Sequence, residues 1–180
     1  FDWFSKSSSE IYALPNFLQP REYGDFIQYL IASRNPDCIL NTGSRFVYEQ
    51  LPSIKANFPH LSVVDLLFNT IGHVDSHMEY KEFISFVLAE NKDVYDWFID
   101  VAQWPANLGR KVSSGVDLTQ LFPTARPKSL VEKYKITNDE IVIGFSGRLS
   151  EEKAPDIFVE IAKSCQRIPN LRFIMTGSGP

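Results

Sequence analysis

The sequence has little of what marks a membrane-spanning, disulfide-stabilised or nucleic-acid-binding protein. Its longest uncharged apolar run, about residues 83–89, is far too short to cross a bilayer. Its 180 residues include two cysteines, Cys38 and Cys165, both in apolar patterns, which favours two buried thiols in a reducing compartment over a disulfide. The net charge of −4 provides no basic excess for general binding of nucleic acid. These absences favour a globular, cytoplasmic protein.

The first residues also lack the features of a signal peptide. The opening Phe-Asp-Trp-Phe-Ser-Lys contains neither a basic segment nor an apolar one. It does not begin with Met, so we expect an upstream portion of the protein to precede it.

Predicted strands and helices alternate along the chain. Strands are predicted at 38–41, 61–68, 83–88 and 111–113, and helices at 21–33, 45–56 and 92–102, although 79–90 could equally be helical. A polar loop with Gly72, His73, Asp75 and His77 is predicted between the second and third strands. Without an internal repeat, this alternation predicts an α/β fold with a doubly wound, Rossmann-like parallel sheet covered by helices on both faces.

A second, smaller piece follows a linker. Residues 122–127 carry two prolines, and beyond them we predict a helix at 129–134, a strand at 141–146, a helix at 156–168 and a strand at 171–175. Two strands and two helices bury too little surface to be stable alone. We therefore predict an incomplete N-terminal domain over 1–124 and the first βαβ of a truncated C-terminal domain over 125–180. The second piece should dock on the first domain or on another copy.

The most informative stretch is 141–155. A β-branched strand ends at Gly147, a loop carries Arg148 and Lys153, and Pro155 suits the first turn of a helix. Two cations beside the positive end of a helix dipole suit a diphosphate. The alternative is a solvated Arg and Lys paired with the two glutamates that follow, and Gly147 could serve a plain turn instead of close approach to a ligand.

Three motifs in order resemble the retaining group-1 glycosyltransferases (glycosyltransferase family 4), which have two facing Rossmann-like domains. The motifs are Ser114-Gly115-Val116-Asp117 before the linker, Gly147-Arg148-Leu149 with Glu152-Lys153 after a strand, and Gly177-Ser178-Gly179-Pro180 after the next strand. The resemblance covers residues 110–180. Residues 1–109 match only a general α/β pattern.

The resemblance implies transfer of a sugar from a nucleotide-diphosphate sugar to a glycan, lipid-linked or other acceptor, with retention, as in polysaccharide biosynthesis. It implies that Arg148, Lys153 and Gly147 bind the donor diphosphate, that Gly177 and Gly179 form a nucleotide-binding loop, and that His73 is the catalytic candidate near the donor sugar. It implies no metal or cofactor beyond the nucleotide-sugar co-substrate. It leaves open a peripheral contact with the inner face of a membrane.

Two departures from the family matter. Ala154 stands where the family usually has Gly after the Lys, and the family's downstream acidic Glu-x7-Glu pair, which contacts the donor sugar, is expected beyond the last residue of this sequence. We therefore expect this chain alone to be inactive in turnover. Two other functions stay open: a nucleotide-sugar epimerase of similar architecture, and a non-catalytic glycosyltransferase-like binding module.

Two further patterns have competing interpretations. His73, Asp75 and His77 suggest a metal site, but an irregular loop fixes no ligand geometry, so we predict none. The aromatic residues between 95 and 104 predict helix packing, with a membrane-facing or acceptor-lipid patch as the alternative.

Overall fold

The computed structural model describes residues 4–179 and divides the chain into two compact units. The first unit ends at Val116 and the second begins at Asp117. Both units combine α-helices with parallel strands. The predicted boundary at 124/125 remains a proposal about the domains of the whole protein.

The first unit alternates helices and strands as the sequence predicts. Its strands are β1 (Cys38–Asn41), β2 (Ser62–Leu67), β3 (Phe86–Ala89) and β4 (Gly109–Lys111), and its α-helices are α1 (Tyr23–Arg34), α2 (Arg45–Asn57), α3 (Val74–Glu79) and α4 (Lys92–Asp100). The strands are parallel and lie in the order β1-β2-β3-β4. This arrangement confirms the Rossmann-like α/β fold class.

Local residues explain where the helices of this unit begin and end. Helix α1 ends because Asn35 adopts a left-handed backbone (φ 45°) while its N–H donates to the Ile31 carbonyl at 2.8 Å. Helix α4 begins after Asn91, whose side chain accepts from the Val94 N–H at 2.9 Å. The caps therefore follow from residue types visible in the sequence.

The core of the first unit lies against one face of the sheet. Alternate residues of β2, Val63, Asp65 and Leu67, are buried, whereas Val64 and Leu66 between them are half-buried. The buried face meets side chains of α2, α4 and the segment after α4, including Tyr48, Leu51, Val94, Phe98, Ala102 and Trp104. Burial of Phe98 and Trp104 confirms that the aromatic residues near 100 pack in the core.

Three local predictions for this unit are wrong. The predicted loop after β2 contains the helix α3, and the strand predicted at 83–88 is β3, preceded by a 3₁₀ turn at Lys81–Phe83. Cys38 is exposed rather than buried because it begins β1, an edge strand. Both cysteines are free. Over residues 4–179 no helix has the length and apolar character needed to cross a membrane.

The second unit contains α5 (Lys128–Tyr134), β5 (Ile141–Ser146), α6 (Pro155–Ser164) and β6 (Leu171–Thr176). Strands β5 and β6 pair in parallel. Phe158 of α6 contacts Phe145 and Phe173, with ring centroids 5.5 and 5.6 Å apart. This contact fixes which side of α6 faces the sheet.

The predicted end of α6 needs correction. The helix is predicted to continue to residue 168 but ends at Ser164. Pro169 disfavours a helical backbone only at Ile168, so it excludes the predicted end but not a helix longer than the one observed. Ile157 and Ile161 are 57% and 48% exposed, whereas Phe158 lies on the side that faces the sheet.

Candidate functional site

The loop that joins β5 to α6 contains the predicted diphosphate residues. The Gly147 N–H donates to the Thr176 carbonyl at 3.1 Å, and the Leu149 N–H donates to the Ser178 carbonyl at 2.9 Å. The pairing of β5 with β6 therefore continues past the ends of both strands. The loop after β5 and the loop after β6 are therefore hydrogen-bonded to each other at the carboxyl edge of this sheet, where open α/β sheets bind ligands.

The glycines of the second loop permit this close approach. A Cβ atom at Gly177 would lie 1.8 Å from the Gly147 carbonyl oxygen, and one at Gly179 would lie 2.4 Å from the Leu149 carbonyl oxygen. At Gly147 a Cβ would meet only the Phe145 ring, at 3.8 Å, an ordinary contact. Loop packing thus requires Gly177 and Gly179 but not Gly147, so the interpretation of Gly147 as a site of ligand approach stays open.

The structure brings the two predicted cations to one carboxylate. Arg148 Nη2 lies 3.0 Å from Glu152 Oε2, and Lys153 Nζ lies 3.3 Å from Glu152 Oε1. The three side chains are between 48% and 71% exposed. These are the solvated ion pairs of the alternative interpretation, formed with Glu152. The two cations therefore lie close enough together to contact the two oxygens of one bidentate anion.

A tight turn places Lys153 next to Arg148. The Ser150 carbonyl accepts from the N–H groups of Lys153 and Ala154 at 3.0 and 3.1 Å. Ala154 then adopts a left-handed backbone (φ 48°) before α6 begins at Pro155. A left-handed conformation is costly for any residue with a Cβ and costs glycine little. This explains physically why a glycine would suit the position better than Ala154.

A cavity of about 410 Å³ lies elsewhere in the second unit, beside α5. Arg126 lines this cavity, but its guanidinium already donates to the carbonyls of Thr137 and Glu140, at 3.2 and 2.6 Å. These hydrogen bonds join the first residue of the 126–140 segment to the last part of the same segment. None of the predicted site residues lines this cavity, and we assign it no ligand.

The residues of the first motif, Ser114-Gly115-Val116-Asp117, have structural roles. The Ser114 hydroxyl bonds the Glu90 carboxylate, which follows β3. The Asp117 carboxylate accepts from the Thr119 N–H at 2.9 Å and from its hydroxyl at 2.6 Å. Those bonds, led by the Thr119 hydroxyl, lower the pKa of Asp117. The motif therefore leads into a turn that Asp117 caps.

His73 lies near the carboxyl end of β1. It caps α3, and a Cβ at Gly43 would come within 2.6 Å of His73 Cδ2. Gly43 also has a left-handed φ of 77°, so both its backbone and its contact with His73 favour glycine. The turn after β1 and the start of α3 are therefore in direct contact. The role of His73 near a donor sugar remains a prediction.

His77 and Asp75 do not join His73 in one loop, which corrects the prediction. Both belong to the helix α3, where Asp75 is exposed and the His77 side chain is fully buried. Across the described part of the chain, 4–179, no group of three or more His, Cys, Asp or Glu residues could hold a metal ion. Independence from metal remains a prediction.

A buried polar network around Asp65 was missed by the sequence analysis. The Asp65 carboxylate, fully buried in β2, accepts from Tyr48 OH at 2.8 Å and from Asn41 Nδ2 at 3.1 Å. His77 Nδ1 lies 2.7 Å from its other oxygen. The signal was present in the sequence: Asp65 alternates with Val63 and Leu67, so it must face the core.

Aromatic rings enclose the far side of this network. The His77 ring lies 5.0 Å from Phe98, 5.3 Å from Trp104 and 6.1 Å from Trp97, between ring centroids. His77 Nε2 is buried there without a hydrogen-bond partner. Burial, and then the adjacent Asp65 charge, raises the pKa of Tyr48.

The network connects to the turn that contacts His73. With its Nδ2 committed to Asp65, Asn41 directs its Oδ1 toward the Ser44 N–H, which donates to it at 3.2 Å. Ser44 in turn caps α2 by accepting from the Val47 N–H at 3.3 Å. Asp65 therefore helps to fix the 42–44 turn without itself reaching solvent.

Similar structures are known for this fold. Three crystal structures of Anabaena Alr3699/HepE match the chain: the complex with UDP (18% identity, TM-score 0.65), the complex with UDP-glucose (19%, 0.61) and the complex with UDP and glucose (16%, 0.62). They cover 86%, 89% and 96% of this chain, which in turn covers 43–46% of theirs. No protein-family model and no curated protein matches. At this identity the likeness shows the fold, one shared with a protein crystallised with a nucleotide sugar.

Proposed function

We propose that this chain is part of a glycosyltransferase that takes a sugar from a nucleotide-diphosphate sugar, and that Arg148 and Lys153 bind the donor diphosphate. The observation that carries the proposal is their convergence on the two oxygens of Glu152, at 3.0 and 3.3 Å. Two cations spaced to grip one bidentate anion can grip a diphosphate. The guanidinium provides a planar fork and the ammonium a compact point charge, which together fit neighbouring phosphates.

The chemistry of donor cleavage gives these cations a purpose. Breaking the bond between sugar C1 and the diphosphate places growing negative charge on the leaving oxygen. Cations fixed beside that oxygen stabilise the transition state more than the ground state, which is the condition for catalysis. Because Arg148 and Lys153 could neutralise this charge themselves, the proposal needs no metal.

The solved structures support the choice of nucleotide. Alr3699/HepE, which has the same fold, was crystallised with UDP and with UDP-glucose. We therefore propose a uridine diphosphate sugar as the first donor to test. Because the chain spans less than half of that protein's length, we propose donor binding for the chain and transfer for the protein of which it is a part.

We propose His73 as the residue of the first unit that approaches the donor sugar and acceptor. Its support is its half-buried position against the Gly43 turn, at the carboxyl end of β1. Retention of configuration is proposed from the family resemblance alone.

Titration calorimetry of the 180-residue chain with UDP tests the proposal. Arg148→Ala and Lys153→Ala should each weaken UDP binding roughly ten- to a hundredfold, because each removes a charge-assisted hydrogen bond. Lys163→Ala is the matched control, since Lys163 is an exposed cation of the same unit paired with Glu160 at 2.7 Å. Binding should be the same with and without EDTA. Wild-type affinity in Arg148→Ala would overturn the assignment.

A further inference from the structure

Glu152 occupies the place where the proposed donor diphosphate would bind. Each of its carboxylate oxygens contacts one cation, Arg148 at 3.0 Å and Lys153 at 3.3 Å. The neighbouring Glu151 belongs to the same 3₁₀ turn, but its side chain forms none of the ion pairs found across residues 4–179. The two cations thus share a single internal anion.

We infer that Glu152 is an internal counter-ion that holds Arg148 and Lys153 together in the free protein and must swing away when the diphosphate binds. This inference rests on the proposed function. A carboxylate and a diphosphate compete for the same pair of cations, because the two anions repel each other and each binds best where it contacts both cations. The exchange is feasible because Glu152 is 54% exposed, so water can solvate its carboxylate once it leaves.

Because Glu152 must be displaced, its carboxylate lowers the affinity of the site for the donor. Its negative charge competes with the ligand for both cations and repels the ligand as it approaches. Glu152→Gln keeps the size of the side chain and removes the charge. At low salt this change should tighten UDP binding about three- to tenfold, the size of effect that one nearby, partly screened charge produces.

The neighbouring carboxylate provides a matched control. Glu151→Gln removes one negative charge from the same turn without breaking an ion pair to Arg148 or Lys153. We expect Glu151→Gln to change UDP affinity by about twofold or less, since the Glu151 carboxylate contacts neither cation and the high dielectric constant of water weakens its effect at longer range. Circular dichroism should show the same helix content in both variants and the wild type.

Calorimetric titration with UDP in 20 mM buffer, of wild type, Glu152→Gln, Glu151→Gln and Arg148→Ala, tests the inference. Support requires tighter binding by Glu152→Gln only, together with weaker binding by Arg148→Ala. If Arg148→Ala binds more weakly but Glu152→Gln matches Glu151→Gln or the wild type, the counter-ion role is wrong and the diphosphate site stands. If Arg148→Ala matches the wild type, or no variant binds UDP, the diphosphate site is wrong and the counter-ion role is wrong with it.

Discussion

The Asp65 and Glu152 carboxylates both have polar partners, but Asp65 lies in the protein interior and Glu152 lies at the surface. Asp65 is fully buried, where an unpartnered charge costs several kcal/mol, and the surrounding donors make its burial tolerable. Glu152 is half-exposed, where an ion pair contributes about 0–1 kcal/mol and exchanges readily. Burial therefore makes Asp65 a fixed organiser of the first unit and leaves Glu152 free to be displaced.

The pH dependence of stability tests the buried network. An unfolded chain ionises tyrosine near pH 10, whereas burial beside Asp65 raises the pKa of Tyr48 in the folded protein. Above about pH 10 the unfolded state releases this proton and the folded state keeps it, so stability falls as pH rises. The contribution of Tyr48 is fully present below pH 10. It should be lost at up to about 1.4 kcal/mol per pH unit above it.

Urea unfolding of wild type and Tyr48→Phe between pH 8 and pH 11 measures this slope. Tyr48→Phe should lack the alkaline loss of stability that Tyr48 contributes. Tyr29→Phe, at a tyrosine that is 60% exposed, is the control and should keep the wild-type slope. Equal slopes in Tyr48→Phe and the wild type would contradict the burial of Tyr48 against Asp65.

Single residues were predictable from the sequence where they stand beside glycine or proline. Arg148 and Lys153 could be placed together because Gly147 ends a β-branched strand and Pro155 starts a helix. Asp65 could not be recognised as easily, because its partners Tyr48 and His77 come from α2 and α3. Contacts between distant segments leave no pattern in one stretch of sequence.

Among the secondary-structure elements and their connections, the hydrogen bonding between the loops after β5 and β6 is readily tested. Gly177→Ala would place a Cβ 1.8 Å from the Gly147 carbonyl oxygen, so the loops must separate. The Gly147 and Leu149 N–H groups would then lose their acceptors on Thr176 and Ser178. Overpacking of this kind costs roughly 1–3 kcal/mol, so these two amides should exchange about tenfold faster or more.

Hydrogen exchange followed by NMR checks this prediction. Gly144→Ala is the matched control, because a Cβ at Gly144 in β5 would have no atom within 4 Å. Unchanged exchange of the Gly147 and Leu149 amides in Gly177→Ala would mean that the two loops are not hydrogen-bonded to each other. If these hydrogen bonds hold Arg148 in place, Gly177→Ala should also weaken UDP binding, whereas Gly144→Ala should not.

Elements with a clear apolar pattern or cap were predictable, even short ones such as β1, and the helix α3 was not. Helices α1 and α2 and strands β1, β2 and β5 match their predicted positions within about two residues, because each has a clear apolar pattern or cap. Helix α3 was missed because its six residues, Val74–Glu79, are too few to show a helical period. The end of α6 at Ser164 was not predicted, because apolar residues continue to Ile168.

At the scale of the whole molecule, the two units differ in how much apolar surface they bury. Almost all of the buried hydrophobic side chains in the described chain belong to the first unit, and Ile136 is the one in residues 117–179. Apolar side chains such as Leu130, Ile157 and Ile161 are exposed on the second unit. A two-stranded sheet with little buried surface has marginal stability of its own.

Separate expression of the two units tests this difference. Residues 1–116 should unfold cooperatively in urea, as judged by tryptophan fluorescence and circular dichroism. Residues 117–180 should show no cooperative transition when dilute, and sedimentation should detect self-association as concentration rises, because exposed apolar side chains favour association. A sharp unfolding transition in a monomeric 117–180 would contradict the prediction.

A crystal structure of the 180-residue chain with UDP would show directly whether Arg148 and Lys153 bind the diphosphate. We expect diphosphate oxygens about 3 Å from both the Arg148 guanidinium and the Lys153 ammonium, with the Glu152 carboxylate turned away from them. UDP bound elsewhere, with Arg148 and Lys153 still paired to Glu152, would contradict it.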